Sequence, residues 1–363
     1  MTHSTKDETV AQIRFTADYL AATLESIFKT SIGNVAFLPL QGDASTRRYF
    51  RVTFMKTPAD KNPASIMLMQ LEQPVAGNEI DFTRVLKFLR GLELPVPQLF
   101  LYDSEKGLLF LEDCGDVTLE EKGQMAGGDE IKHYYRQAVE LLVTLQDLAT
   151  KHIEPTCPAY HLRFDVEKLM WEFDFMIKHY VCGLKKIPMS EASLQEVRQA
   201  FQPLCETLAA QSLRFTHRDY HSRNLMVHQD QLIMLDFQDA RMGPCQYDLA
   251  SLLRDSYVRL EDTFVRELLD LFIQQKEARE GCSIDRESFY EIFDFMAIQR
   301  NLKAIGTFAY QSVLKKNDRY LESIPRTLAY VKQTLDNRPA LRPLRNVLGN
   351  YIPELRAEKA AAS

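Results

Sequence analysis

No apolar run in this chain approaches the ~18 residues that a membrane-spanning helix requires, so a bilayer is not an expected environment. No block of basic residues occurs either, and 44 Lys and Arg against 50 Asp and Glu leave a net charge of −6. Nucleic acid is therefore not an expected partner, and an anionic ligand has to be met by local arginines and lysines. The six cysteines (114, 157, 182, 205, 245 and 282) lack metal or redox spacing and read as free thiols of a cytoplasmic protein. The polar opening Met1-Thr2-His3-Ser4-Thr5-Lys6-Asp7-Glu8 does not have the form of a secretory signal. No repeat is found, and no low-complexity tract apart from the Ala-rich last residues. A glycine-rich phosphate loop is also missing, since Gly42-Asp43-Ala44-Ser45-Thr46-Arg47-Arg48 contains one glycine.

What is present is an ordinary globular composition, 45% hydrophobic and 26% charged, with length for two domains or one two-lobed unit. The most informative stretch is Thr216-His217-Arg218-Asp219-Tyr220-His221-Ser222-Arg223-Asn224. Two short apolar runs, Leu225-Met226-Val227 and Leu232-Ile233-Met234-Leu235, follow as a hairpin pattern that ends in Asp236-Phe237. An Asp five residues before an Asn, with a second Asp after a hairpin, is the catalytic-loop pattern of kinase-like phosphotransferases. Phosphoryl transfer is mostly positioning plus neutralisation of phosphate charge. Asp219 suits the task of accepting the proton of an attacking hydroxyl. Asn224 and Asp236 are hard oxygen ligands suited to Mg²⁺ on ATP phosphates. Met242-Gly243-Pro244 reads as a turn, and Tyr247–Leu253 as an amphipathic helix in which Asp248 has a structural role.

The periodicities predict a helix over Ile13–Phe28, then strands over Val35–Leu40, Arg48–Phe54, Ile66–Met69 and Leu108–Leu111, with a helix over Phe82–Leu92. Beyond residue 113 helices dominate: Tyr134–Leu148, Val166–Val181, Glu196–Ala209, Phe264–Lys276, Phe289–Val313 and Tyr320–Leu335. This predicts an α+β, two-lobed protein-kinase-like fold. Residues 1–33 form an N-terminal helical extension, 34–113 a small β-rich nucleotide-binding lobe, and 114–363 a larger helical lobe for catalysis and acceptor binding. In the small lobe Ser45, Thr46 and Arg48 are placed to meet phosphates. Glu112, Asp113 and Cys114 form a hinge whose backbone pairs with adenine. A Lys on the third strand is absent, since Ile66–Met69 runs into Gln70, and Arg47, Arg48, Arg51 or Lys56 is left to replace its charge.

These residues together resemble the aminoglycoside-phosphotransferase-like (choline/fructosamine kinase-type) superfamily, and within it the bacterial anomeric N-acetylmuramate/N-acetylglucosamine kinases of cell-wall recycling. The resemblance covers nearly the whole chain. It rests on Asp43-Ala44-Ser45 with Arg47-Arg48-Tyr49-Phe50-Arg51, on Leu109–Asp113, on His217–Asn224, on Leu235–Ala240, and on Gln299–Phe308 with Arg319–Arg326. It implies ATP-dependent phosphorylation of a sugar's anomeric hydroxyl, with a link to a nucleotidyltransferase that makes a UDP-sugar. Asp219 then corresponds to the catalytic base, Asn224 and Asp236 to the Mg²⁺ ligands, and Arg223 to an arginine that neutralises the transferring phosphate.

For the acceptor, Glu172 is the candidate ligand of sugar hydroxyls, Trp171 or Phe175 of a ring face, and Arg300 and Lys303 of an acidic substituent. Core packing and structural salt bridges are the competing readings of these residues. Other small hydroxyl acceptors, of the aminoglycoside or choline type, stay open, as does a nucleotide-binding pseudokinase. No activation segment ending in Ala-Pro-Glu follows Asp236-Phe237, which counts against a protein substrate.

Overall fold

The computed structural model describes residues 13–40, 47–56, 64–125 and 127–357. The chain divides into two compact units, one running to Leu86 and adding Pro97–Cys114, the other comprising Lys87–Val96 and the chain from Gly115 onward. A small β-rich part followed by a larger helical part is the α+β organisation read from the sequence.

In the first unit, helix α1 (Ala17–Phe28) is capped by Thr16, whose hydroxyl accepts from Tyr19 N–H. Strands β1 (Gly33–Leu40), β2 (Arg48–Met55) and β3 (Ala64–Gln70) follow, then helix α2 (Asp81–Gly91), which runs on into the second unit. Strands β4 (Leu99–Asp103) and β5 (Leu108–Glu112) complete a five-stranded antiparallel sheet in the order β1-β2-β3-β5-β4. Strand β4 has no counterpart in the sequence reading. Alternation sends Phe50, Val52 and Phe54 of β2 to one face, where Ile66, Leu68, Leu108 and Phe110 join Phe15, Leu20 and Leu24 in the core. Each such side chain contributes about 1.5–3 kcal/mol by leaving water.

In the second unit, α3 (Leu119–Met125) and α4 (Gly128–His152) precede α5 (Val166–Met176), which Asp165 caps through Lys168 N–H. The sequence periodicity carries α5 to Val181, but from Ile177 to Leu184 the backbone widens into a π-helix. The change of pitch starts one residue after Met176. Helix α6 (Glu191–Ala209) leads to β6 (Leu213–Thr216), and the hairpin β7 (Leu225–His228) and β8 (Gln231–Met234) follows. Gln229 and Asp230 at the hairpin tip both have positive φ, which suits the right-handed twist of the strands. Arg241–Pro244, read from sequence as containing a turn, is strand β9, paired antiparallel with β6. Gly243 is required there: a Cβ would stand 2.5 Å from the Phe164 ring. Helices α7 (Gln246–Leu253), α8 (Asp262–Glu280), α9 (Arg286–Lys315), α10 (Ile324–Asn337) and α11 (Arg342–Tyr351) complete the unit. Among the described residues no helix is long and apolar enough to cross a membrane.

Helix α9 closes on the end of α5 at Gly306, where a Cβ would lie 2.7 Å from Met176 Cα. Alanine there gains up to about 1 kcal/mol of helix propensity, but the obstacle is backbone and cannot swing aside. Overpacking costs about 1–3 kcal/mol. Gly306→Ala is therefore expected to lower the thermal unfolding midpoint, and an unchanged or raised midpoint would show that the helices can separate at no cost.

Candidate active site

Strand β6 ends at Thr216, whose hydroxyl donates to the Arg241 carbonyl at 2.7 Å. The next two amides turn away from the sheet. His217 N–H donates to Asp248 Oδ2 at 2.7 Å and Arg218 N–H to Oδ1 at 2.9 Å. Arg218 has φ +80°, which an L-residue with a Cβ adopts only at a cost. The two bonds from one buried carboxylate on α7 hold it there. Burial pushes the Asp248 carboxyl up to about 7, against the pull of those two N–H groups. Further along, the Tyr220 hydroxyl donates to the Ala138 carbonyl at 2.8 Å. Ser222 N–H donates to Asp255 Oδ2, whose Oδ1 accepts from Tyr257 N–H, both at 2.9 Å. The loop is thus fixed at four points along its length.

The loop presents Asp219 to Lys303, whose Nζ reaches from α9 to 3.2 Å from Oδ1. Arg218 Nη1 stands 3.8 Å from Oδ2 and donates to Asp239 at 2.8 Å. Burial by itself raises the Asp219 carboxyl, but Lys303 and then Arg218 outweigh it and hold the group well below the usual carboxylate range. Asp219 is consequently ionised at any physiological pH. Asn224 Nδ2 donates to the Asp219 carbonyl at 2.9 Å. Only the amide nitrogen can donate, so that bond fixes the Asn224 rotamer and leaves Oδ1 as its ligand atom. The Asn224 carbonyl accepts from Leu235 N–H at 2.9 Å, tying the loop to the residue before Asp236. Asp236 has φ +62°, a conformation that aspartate tolerates, and its Oδ1 accepts from Gln238 at 2.7 Å. One amide oxygen and one carboxylate are a donor set suited to Mg²⁺, which keeps water and phosphate oxygens as its other ligands.

Arg223 is not directed at Asp219. Its guanidinium makes a bidentate pair with Glu120 of α3, at 2.5 and 3.1 Å, and lies 3.6 Å over the Tyr257 ring. Here the guanidinium fork is matched to a carboxylate, a geometry that its planar donors suit. Glu172 is buried and joins α5 to α9, accepting from Gln299 at 2.7 Å, with Lys168 at 3.2 Å. Arg300 is also buried and donates through Nε to Ser251 Oγ at 2.8 Å. Trp171 is 53% exposed and carries the Lys168 ammonium 4.0 Å over its ring. Phe175 lies beside it, with ring centroids 5.4 Å apart.

In the first unit, Ser45 and Thr46 lie outside the described residues. The Arg48 guanidinium lies 5.2 Å from the Phe50 ring centroid. Glu112 accepts from Gln98 N–H at 2.9 Å, and Cys114 is buried, its thiol pushed up to about 12 by that burial. Asp113 forms a two-point pair with Arg51, at 2.7 and 3.0 Å. Arg51 stands opposite Met67 in the β2–β3 register, on the sheet face turned away from the Phe50–Val52–Phe54 core. It is therefore the one of the four basic candidates directly across from the third strand's middle. The Lys56 ammonium, by contrast, lies 4.7 Å over Phe28.

Sequence reasoning missed Asp255, Gln299 and Glu120, and it read Lys303 as either an acceptor ligand or a salt-bridge residue without naming Asp219 as the partner. No local pattern marks these contacts, which join residues from 33 to 127 positions apart.

Comparison with known proteins adds the following. The model of the phosphotransferase enzyme family matches residues 36–284. An N-acetylmuramate/N-acetylglucosamine kinase from Neisseria meningitidis is 31% identical over 319 residues, covering 85% of this chain and 89% of its own. A kinase of the same name from Pseudomonas putida is 30% identical over 317 residues, covering 87% of each chain. Among solved structures, a choline kinase from Cryptosporidium parvum aligns with TM-score 0.56 at 13% identity, over 85% of this chain and 92% of its own. That likeness concerns the fold alone.

Proposed function

The chain belongs to the phosphotransferase enzyme family, and from that we propose that it transfers the γ-phosphate of ATP to the anomeric hydroxyl of N-acetylmuramate or N-acetylglucosamine. The observation that carries the transfer chemistry is Asp219, kept ionised beside Lys303 and locked to Asn224 through its own carbonyl. The choice of acceptor is supported by the kinases from N. meningitidis and P. putida, whose likeness extends over 85% and 87% of this chain.

In this reading the acceptor hydroxyl approaches Asp219, which orients the oxygen and takes its proton late, in keeping with a loose transition state. Asn224 and Asp236 hold Mg²⁺, which neutralises phosphate charge when bound. Arg223 is a positioning residue, clamping α3 to the loop through Glu120. On the nucleotide side, Ser45, Thr46 and Arg48 serve the phosphates, and the chain around Glu112, Asp113 and Cys114 serves the base. Arg51, braced by Asp113, supplies the charge that Gln70 does not. Glu172 and Arg300 shape the acceptor side through Gln299 and Ser251. An anomeric sugar phosphate is the kind of product a nucleotidyltransferase consumes.

The test is ³¹P NMR of the protein with Mg-ATP and, separately, N-acetylmuramate, N-acetylglucosamine, glucose, choline and an aminoglycoside. A new anomeric phosphate signal with an N-acetyl amino sugar is the expected result. Transfer to choline or the aminoglycoside alone would overturn the acceptor assignment. ATP that binds but is never consumed, even by water, would make the protein a pseudokinase.

A further inference from the structure

Transfer places a demand on the site that Asp219, Asn224 and Asp236 do not meet. The bond between the β,γ-bridging oxygen and the γ-phosphorus breaks while the acceptor oxygen bonds to that phosphorus, and the acceptor's proton passes to Asp219. Meanwhile negative charge is spread over the three equatorial oxygens of the group in transit. A fixed cation beside those oxygens is the strongest electrostatic help a protein can offer.

The catalytic loop has four basic side chains; His217 is fully buried with its ring edge-on to Tyr220, and the other three are turned to other work. Arg223 is matched to Glu120 and stacked on Tyr257. Arg218 Nη1 donates to Asp239. His221 sets its ring edge-on to Tyr257, centroids 5.4 Å apart. Arg300, the nearest basic neighbour on α9, is buried against Ser251. Lys303 differs in hydrogen-bonding the reacting carboxylate directly, at 3.2 Å, whereas Arg218 stands off at 3.8 Å and gives its hydrogen bond to Asp239. Its ammonium has three donors on a flexible stem, so it can hold Asp219 and a second oxygen in turn.

The geometry points to Lys303 as a catalytic residue that follows the migrating charge, contacting Asp219 before transfer and the phosphoryl oxygens during it. Once the acceptor's proton reaches Asp219, the carboxylate charge is cancelled, and the phosphoryl group becomes the ammonium's only strong partner. A cation reaching the carboxylate from α9 thus takes the part that the loop's own cations leave open. The inference rests on the kinase reading but not on which acceptor is used.

The experiment compares Lys303→Met and Lys303→Arg, each checked for an unchanged unfolding midpoint, with Lys303→Gln in reserve. Wild-type protein is first assayed on the sugar panel and, in parallel, with water as acceptor. If no sugar is phosphorylated, the sugar reading fails, and Lys303 is judged on ATP hydrolysis, whose transition state carries the same charge. The expected result is a kcat lower by roughly 10²–10³-fold in Lys303→Met, as for loss of one transition-state donor. Both KM values should change by less than about threefold, since a contact made only in the transition state leaves KM alone. Lys303→Arg should recover at least about tenfold of the loss, because the charge is kept. A raised acceptor KM with kcat intact would make Lys303 a substrate ligand and overturn the inference. Equal losses in the methionine and arginine variants would do the same, as would the failure of both neutral variants to fold.

Discussion

Asp219→Asn is expected to lower turnover by roughly 10³-fold, within the range for loss of a general base. Nucleotide affinity should stay within about twofold of wild type, since an interaction with the attacking hydroxyl is not part of ground-state nucleotide binding. Asparagine keeps the shape and can still accept a hydrogen bond, but it cannot take up the proton. It also leaves the Lys303 ammonium beside a neutral amide in a buried place. For that reason Asp219→Asn and Lys303→Met should not be additive in a double-mutant cycle, the coupling being that of a contacting pair. Near-wild-type turnover in Asp219→Asn would remove the base assignment, and simple additivity would separate the two residues.

The second large effect is expected at Asp248. Its two oxygens satisfy consecutive amides, one belonging to a residue at φ +80°. Asp248→Ala leaves two buried N–H groups without an acceptor, at about 1–3 kcal/mol each, and releases the strained turn that presents Asp219. Both stability and kcat should fall, the latter without a change in which acceptor is used. Asp248→Asn, which keeps one acceptor oxygen, should lie between.

The pH dependence of stability has a definite sign at this residue. Burial raises the folded carboxyl from 3.8 to about 7, so the native state holds the proton more tightly than the unfolded chain does. The resulting stability is complete below pH 3.8 and is lost as pH rises through about 7. The asparagine variant lacks that titration. Urea unfolding at pH 5 and pH 8 should therefore show a smaller gap between wild type and Asp248→Asn at the higher pH. An unchanged gap would mean that the carboxyl is ionised throughout.

The proposed reacting residues are contiguous in the chain: Asp219, Asn224 and Asp236 sit on one loop and one hairpin, and their spacing is itself the signal that proposes them. The helices were legible wherever one face is apolar, as in α6 and α8, whose buried residues recur at three and four positions. Strand β9 was not, because Met242-Gly243-Pro244 has turn composition, and the glycine is there for the Phe164 ring rather than for a bend. The π-helix after Met176 was invisible because apolar spacing of three and four fits either pitch over so short a run. The supports of the loop, Asp248 and Asp255, and the partners Lys303, Gln299 and Glu120 come from other elements. Only the folded chain brings them together. Asp248 was read as structural, yet nothing in the sequence shows that its carboxylate accepts two consecutive loop amides.

One consequence follows from the length of α9. Its 30 residues include Gln299, Arg300, Lys303 and Gly306, which meet Glu172, Ser251, Asp219 and Met176 respectively. A helix advances about 1.5 Å and turns about 100° per residue, so these four contacts lie within an arc of about 120° and depend on one register. A single substitution leaves that register alone, whereas one inserted or deleted residue before Gln299 would rotate all four contacts off their partners together. From Phe289 to Val313 the helix is buried or half-buried throughout, so it is held in composition as well as in residue count.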